Sequence, residues 1–302
     1  MNQNVLKKLE EILETNQLLL EEPMKKHITF KVGGVADVFV MPKASEVASV
    51  MKICKDFDEP VTVIGNGSNL LVGDKGIRGV VLNIGKNMRE IEIEGDTLKI
   101  EAGATLAAAA SAAAKAGLSG LEFASGIPGT FGGAVVMNAG AYGGEIKDVL
   151  VSVSVLDKDG QVKQLSKDEL ALSYRHSIIP KQGYLVLSGI LKLKKDDPVA
   201  IKERMEELRK KRIEKQPLEY PSAGSTFKRP EGHFAGKLIM DAGLSGFSVG
   251  DAAVSTKHCG FVINKGNATA AEICELMDKI VQIVEEKYQV TLEPEVKKLG
   301  EF

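Results

Sequence analysis

The stretch GIPGTFGGAVVMNAGAYGG, Gly126 to Gly144, packs glycines around single hydroxyl and amide side chains and keeps an apolar middle. A merely flexible linker would be more polar. Backbone without Cβ atoms approaches a flat or phosphorylated ligand closely, so the stretch reads as a binding loop. A second concentration of small residues is VIGNGSNLL, Val63 to Leu71. There a strand runs into a loop whose N–H groups and short polar side chains suit a pyrophosphate. On its own the Asn66-Gly67 pair is equally a tight turn. The two loops together point to a dinucleotide. They do not form a Rossmann fingerprint, because Leu70 stands at the third glycine position and the turn Gly73-Asp74-Lys75-Gly76 replaces the long helix.

Outward from these loops, strands and helices alternate. Val5, Leu6, Leu9, Ile12 and Leu13 recur at helical spacing, which predicts an amphipathic helix lying on the body as a cap and ending before a charged turn at Glu21-Glu22-Pro23. Residues 36–41 and 61–64 read as strands with a helix over 45–56 between them, a βαβ-like opening. Short strands follow at 80–82, 91–93 and 98–100. The alanine-rich segment 105–116, closed by Gly117, is a strong helix former. Strands at 151–156, 162–164 and 184–194, with a helical stretch over 167–172, lead to a change of composition at Lys194-Lys195-Asp196-Asp197-Pro198, where we place a domain boundary. A long charged helix over 199–215, another from Lys237, and an amphipathic helix over 269–288 with Ile273, Leu276, Ile280 and Val284 on one side complete an α+β chain with mixed sheets.

Composition narrows the function classes. At 302 residues the chain has room for more than one core. A net charge of −2 gives no footprint for nucleic acid or an anionic membrane, and with 5% aromatics and no Trp there is no stacking platform for single strands. Three separated cysteines, Cys54, Cys259 and Cys274, read as free thiols of a reducing, cytoplasmic compartment, and no segment reads as a signal peptide or membrane span. His27, His176, His233 and His258 show no paired ligand spacing, so no metal is expected. Residues 79–86 miss the P-loop spacing, and Asn87 stands where magnesium would need a hydroxyl. Gly246-Phe247-Ser248-Val249-Gly250, with His258 downstream, matches a nucleophile elbow and keeps a serine hydrolase open as a rival. Three polar stretches remain for chemistry: Ser173-Tyr174-Arg175-His176-Ser177, residues 221–230 and Leu292-Glu293-Pro294-Glu295-Val296-Lys297.

Phe30-Lys31-Val32-Gly33-Gly34-Val35-Ala36-Asp37, Gly65-Asn66-Gly67-Ser68-Asn69-Leu70-Leu71, Gly126-Ile127-Pro128-Gly129 with Asn138-Ala139-Gly140-Ala141-Tyr142-Gly143, Tyr174-Arg175-x-Ser177, Ala223-Gly224-Ser225-x-Phe227 and Leu292-x-x-Glu295-Val296 stand in this order. As a series they closely resemble the UDP-N-acetylenolpyruvoylglucosamine reductase (UDP-N-acetylmuramate dehydrogenase) family, over nearly the whole chain. The short spacing between residues 138–140 and Tyr174 resembles the shorter, type II form, which lacks a substrate-covering tyrosine loop.

The resemblance implies a helix over 1–23, a two-subdomain FAD-binding domain of the vanillyl-alcohol-oxidase (PCMH) type over 24–195, and a smaller α+β substrate-binding domain over 196–302. It implies FAD held by Gly65, Asn66, Gly67, Ser68, Asn69, Gly126, Pro128, Gly129, Thr130, Gly140 and Ala141. The attachment is read as noncovalent because neither loop contains His or Cys. NADPH is the implied hydride donor, and the implied reaction reduces UDP-N-acetylglucosamine enolpyruvate to UDP-N-acetylmuramate for peptidoglycan. Arg175 and Glu295 are implied to stabilise charge at the substrate carboxylate and Ser225 to donate a proton. Tyr174, Lys215 and Arg229 are the substrate-binding candidates, the last two by position and charge. Two further readings stay open: another flavin oxidase of the same fold, and a nucleotide-binding module without catalysis.

Overall fold

The computed structural model describes residues 2–302. The chain opens with α1 (Gln3–Ile12), β1 (Leu18–Pro23), β2 (Val35–Val40), α2 (Val47–Asp56), β3 (Val61–Ile64), β4 (Leu70–Val72), β5 (Ile77–Asn83), β6 (Ile91–Glu94), β7 (Thr97–Glu101) and α3 (Leu106–Lys115). Next come β8 (Leu118–Ser119), α4 (Phe131–Val136), β9 (Gly140–Ala141), β10 (Gly144–Glu145), α5 (Ile146–Val149), β11 (Leu150–Leu156), β12 (Val162–Ser166), α6 (Ile179–Gln182), β13 (Leu185–Lys192) and β14 (Lys194–Lys195). The remainder is α7 (Pro198–Lys215), α8 (Ala235–Asp241), β15 (Ser248–Val249), β16 (Ala252–Val254), β17 (Val262–Asn264), α9 (Ala270–Tyr288) and β18 (Lys297–Leu299). The chain forms two compact units. One comprises Met1–Leu19, Val38–Asn66 and Gly79–Arg212, the other Leu20–Asp37, Gly67–Arg78 and Ile213–Phe302.

In the first unit an antiparallel sheet of order β12-β11-β13-β7-β6 carries the core. Val153, Val155, Leu98, Ile100 and Leu191 are buried there. Against this core α3 buries Leu106, Ala109, Ala110, Ala113 and Ala114. A face of alanines lets a helix axis come close to its neighbours while keeping the best helix former at nearly every position. Thr105 caps α3, its hydroxyl accepting from the Ala108 amide at 3.1 Å. Within the same unit β3 and β5 pair in parallel, from Val61 opposite Val80 to Ile64 opposite Asn83.

The second unit has a three-stranded antiparallel sheet, β15-β16-β17, and the long helix α9. Ile273, Leu276, Met277, Ile280 and Val284 form the buried stripe of α9. Its N-terminus is doubly fixed. Thr269 and Glu272 make a reciprocal capping box, and the Asp74 carboxylate accepts from the Ala270 and Ala271 amides at 2.8 and 2.9 Å. β18 pairs in parallel with β4, joining the end of the chain to residues 70–72.

Three local expectations need correction. Glu21-Glu22-Pro23 is no turn but the end of β1, because the apolar run Leu18-Leu19-Leu20 before it adds an outer strand to the sheet of order β1-β2-β5-β3. The βαβ-like opening is interrupted there, since β5 lies between β2 and β3. Residues 167–172 hold one 3₁₀ turn, Asp168–Leu170, ended by Ala171 in the left-handed region at φ 48°.

Candidate active site

In the first unit β3 delivers Gly65 and Asn66. Asn83 Nδ2 donates to the Gly65 carbonyl at 2.9 Å, and Asn66 Nδ2 donates to the Pro128 carbonyl at 3.2 Å. The two glycine-rich stretches are thus hydrogen-bonded to each other. Beyond Gly129, the loop expected from the sequence is partly helix. Thr130 is the N-cap of α4, its Oγ1 accepting from Gly133 N at 3.4 Å, and Phe131 and Val135 are fully buried. Gly126, Pro128 and Asn66 remain exposed. Gly140 and Ala141 form β9, paired with β10 through Gly144 and Glu145.

Asn138 ties this hairpin to the chain around Arg175. It is fully buried with φ 43°, and its Nδ2 donates to Glu145 Oε2 and to the Ser173 carbonyl, both at 3.1 Å. Its Oδ1 accepts from the Lys147 amide at 3.0 Å. One amide side chain therefore joins the β9–β10 hairpin to the turn that carries Tyr174 and Arg175. Ser173 and His176 exchange backbone bonds of 3.2 Å, which makes Tyr174 and Arg175 the two central residues of that turn. Arg175 has φ 54°, costly for a side chain of its size and the kind of local strain found at functional sites. Below the turn, Ser177 Oγ donates to the Val136 carbonyl at 2.6 Å. Tyr174 is exposed, with the Arg175 guanidinium 5.1 Å from its ring centre. The Lys147 ammonium bonded to Glu145, with smaller contributions from Asn138 and the Arg175 charge, holds the Glu145 carboxyl below the usual range.

The second unit holds the rest of the first glycine loop. Gly67 has φ 62°, and a Cβ there would stand 2.3 Å from the His27 carbonyl oxygen and 2.8 Å from Ile28 Cα. The chain itself therefore leaves no room for a side chain at this position. Asn69 Nδ2 donates to the Glu295 carbonyl at 3.1 Å, and Lys297 N donates to the Asn69 carbonyl at 2.9 Å. Residues 226–228 run beside 293–295: Glu295 N donates to the Thr226 carbonyl and Lys228 N to the Glu293 carbonyl, both at 2.8 Å. Thr226 is fully buried and its Oγ1 accepts from Val262 N at 2.9 Å. Ser225, one residue earlier, is exposed after Gly224 at φ 77°, and Glu295 is buried. The loop around Asn69, the Ser225 turn and the Glu295 segment, dispersed in sequence, thus form one hydrogen-bonded cluster. Lys215 ends α7 and is exposed, and the exposed Arg229 lies 4.6 Å over the Phe234 ring.

Within the second unit, one buried polar atom suits a bound ligand. Thr29 Oγ1 is buried without a hydrogen-bond partner among the described residues, while the Thr29 amide bonds the Gly67 carbonyl at 3.3 Å. A buried hydroxyl left so costs about 1–3 kcal/mol unless a ligand satisfies it. The hydrolase motif fails its context. Ser248 lies on the two-residue β15, paired with β16, with no helix after it, and burial pushes His258 below the ordinary imidazole value.

Comparison with known proteins agrees. The model for an FAD binding domain matches residues 35–166, and the model for the C-terminal domain of UDP-N-acetylenolpyruvoylglucosamine reductase matches residues 216–299. Alkyldihydroxyacetonephosphate synthase shares the fold over 65% of this chain and 41% of its own, with a TM-score of 0.52 and 17% identity. These findings define an FAD-dependent oxidoreductase with a flavin domain of the vanillyl-alcohol-oxidase type. The UDP-N-acetylenolpyruvoylglucosamine reductase of Agathobacter rectalis is 59% identical over the full length of both chains. The solved reductase from Thermus caldophilus superposes with a TM-score of 0.80 and 37% identity, covering 94% of this chain and 98% of that one. The chain belongs to the UDP-N-acetylenolpyruvoylglucosamine reductase family.

Proposed function

We propose that this chain reduces the enolpyruvyl ether of UDP-N-acetylglucosamine to UDP-N-acetylmuramate with NADPH, in the type II manner of its family. FAD supplies the hydride from N5 when bound and reduced. The observation that best supports the reading is the hydrogen-bonded cluster in which Asn69, Thr226 and Glu295 join the flavin loop to the Ser225 and Glu295 segments.

Hydride arriving at C3 of the enolpyruvyl group leaves an electron pair at C2 that spreads into the adjacent carboxylate. Arg175, permanently charged and planar, pairs with both carboxylate oxygens as that charge builds, and Glu295, in its protonated form, completes the group of donors. Ser225 Oγ–H then delivers its proton to C2. Gly65, Asn66, Gly67, Ser68, Asn69, Gly126, Pro128, Gly129, Thr130, Gly140 and Ala141 hold the flavin, and Tyr174, Lys215 and Arg229 meet the substrate. In functional terms residues 24–195 serve the flavin and residues 196–302 the substrate. Among the described residues no helix is long and apolar enough to cross a membrane. The three free thiols support a cytoplasmic location.

Mass spectrometry tests the assignment. With NADPH the enolpyruvyl substrate should gain two hydrogens, one of them deuterium when the nicotinamide carries deuteride. An unchanged substrate, with NADPH consumed only in the presence of oxygen, would point instead to another flavin oxidase of this fold.

A further inference from the structure

Helix α7 is lightly anchored by apolar contact. Ile201 is buried and Met205 packs on the core of the first unit, while Val199 and Ile213 are exposed. A polar contact adds to these at Arg204. Its Nε and Nη2 donate to Glu122 Oε1 at 3.0 and 2.7 Å, and Nη2 also reaches Ser119 Oγ at 3.2 Å and Asp196 Oδ2 at 2.6 Å. One guanidinium thus joins three stretches of the first unit: α7, the turn after β8 and the residue after β14. β8 and β14 are themselves paired, Ser119 opposite Lys194 and Leu118 opposite Lys195. The Arg209 pair differs. It donates to Glu206 one turn back, at 2.7 and 2.9 Å, and so stays within the helix.

Glu122 is the centre of this contact. Its side chain keeps only 11% of its surface in water, and Oε1 accepts from Ser119 Oγ at 2.9 Å while Oε2 accepts from the Gly120 amide at 2.7 Å. Burial alone would raise its carboxyl; the Gly120 amide and Arg204 outweigh that and hold it below the usual range. A nearly buried carboxylate without its arginine would be left uncompensated, so the pair resists parting. The backbone that Glu122 fixes leads directly into the flavin loop. Glu122–Ala124 form a 3₁₀ turn, the Ser125 amide and hydroxyl donate to the Glu122 carbonyl at 3.2 and 2.8 Å, and the Ile127 amide donates to the Ala124 carbonyl at 3.0 Å. Phe123, in the same turn, lies against the β9–β10 hairpin. A Cβ built on Gly144 would stand 2.6 Å from Phe123 Cδ1, and Gly144 pairs with Ala141.

We propose that Glu122 and Arg204 act as one positioning pair for the flavin. By holding the 122–124 turn to α7 they set where residues 126–130 and the β9–β10 hairpin stand, and hence how firmly and in what geometry FAD is held. Both act through the backbone, without touching the ligand. This rests on the reading that residues 126–130, 140 and 141 hold the flavin.

Holoproteins of the wild type, Glu122→Gln, Arg204→Met, Arg204→Lys, Arg209→Gln and the double variant Glu122→Gln with Arg204→Met test the pair. FAD release is followed by its fluorescence on dilution, the seat of the flavin by its visible circular dichroism, and folding by the urea midpoint of the far-ultraviolet signal with FAD in excess. Glu122→Gln and Arg204→Met should each release FAD about tenfold faster and change the visible signal, the loss expected for one charge-assisted hydrogen bond. The double variant should release it no faster than the worse single one, because either change already breaks the pair. Arg204→Lys keeps a charge within reach of Glu122 and should recover part of the loss. Arg209→Gln, which removes an ion pair within α7 alone, should behave as wild type. Wild-type release and visible signal in Glu122→Gln and Arg204→Met, with only the urea midpoint lowered, would mean a purely structural bridge and overturn the proposal. Losses that multiply in the double variant, an equal loss in Arg209→Gln, or Arg204→Lys no better than Arg204→Met would overturn it as well. Wild-type protein that never binds FAD would instead overturn the reading on which the proposal rests.

Discussion

Replacing Ser225 with alanine removes one exposed hydroxyl and leaves the Thr226 bonds to Gly260 and Glu295 in place, so the cluster should stand while the proton donor is lost. In stopped-flow experiments Ser225→Ala should bind FAD and be reduced by NADPH at close to the normal rate. Its reoxidation by the enolpyruvyl substrate should slow by about 10²-fold to 10⁴-fold. Ser225→Cys, which keeps a transferable proton, should lose less. Reoxidation of the alanine variant at the wild-type rate would remove Ser225 from the mechanism. Arg175→Lys should not restore turnover, because an ammonium cannot reproduce the two-donor plane, and Glu295→Gln should likewise fail in the substrate half-reaction. Asn138 is the residue whose position in the glycine run carried no signal of its role. Its three hydrogen bonds became visible only with the hairpin and the Arg175 turn in place. Asn138→Ala leaves the Lys147 amide without its acceptor and should cost about 1–3 kcal/mol. It should lower kcat through misplacement of Arg175 while flavin content stays near normal, which steady-state kinetics and the bound-flavin ratio check.

At the scale of single elements, the β11–β12 hairpin is closed by Asp157. Its Oδ1 accepts from the Asp159 and Gln161 amides at 2.9 Å, and its Oδ2 pairs with Lys163 at 2.8 Å. Lys163 first, then these amides, lower the Asp157 carboxyl to about 2. A carboxyl lowered in the folded state stabilises fully above its unfolded value and loses that contribution as pH falls through the folded one. Asp157→Asn keeps the amide acceptor and removes the charge. Its stability deficit in urea should therefore be full at about pH 7 and shrink between about pH 4 and pH 2. A deficit independent of pH would mean that the ion pair contributes nothing. Gly67→Val should lose both flavin and stability, since a Cβ at φ 62° would meet the His27 carbonyl. Gel filtration and the flavin absorbance of the purified variant test this, and a folded, fully yellow Gly67→Val protein would contradict it. Periodic elements such as α3 and α9 are legible because alanine content, caps and apolar spacing act within one window of sequence. β1 is not, because two glutamates and a proline mask a strand that exists only by pairing with a neighbour. α4 is hidden among glycines whose low helix propensity is overridden by burial of Phe131, Ala134 and Val135.

For the molecule as a whole, the motif order in the sequence sufficed to place the chain in its family, since both the flavin loops and the Ser225 and Glu295 segments are short and local. The two compact units were less legible. Residues 20–37 and 67–78 join residues 213–302 through pairings such as Asn264 Nδ2 with the Phe30 carbonyl at 3.0 Å, and no local pattern announces a contact across more than two hundred residues. Neither glycine loop contains His or Cys, and Cys54, whose thiol burial pushes up to about 11, lies inside a core. Denaturation should therefore release free FAD into the supernatant, and flavin left on the precipitated chain would refute noncovalent binding. The proposed reaction is read out by the flavin absorption spectrum of the purified protein without oxygen, first with NADPH and then with UDP-N-acetylglucosamine enolpyruvate. NADPH should bleach the flavin, and adding the enolpyruvyl substrate should restore the oxidised spectrum. A flavin that NADPH does not bleach, or that stays bleached in the presence of that substrate, would contradict it.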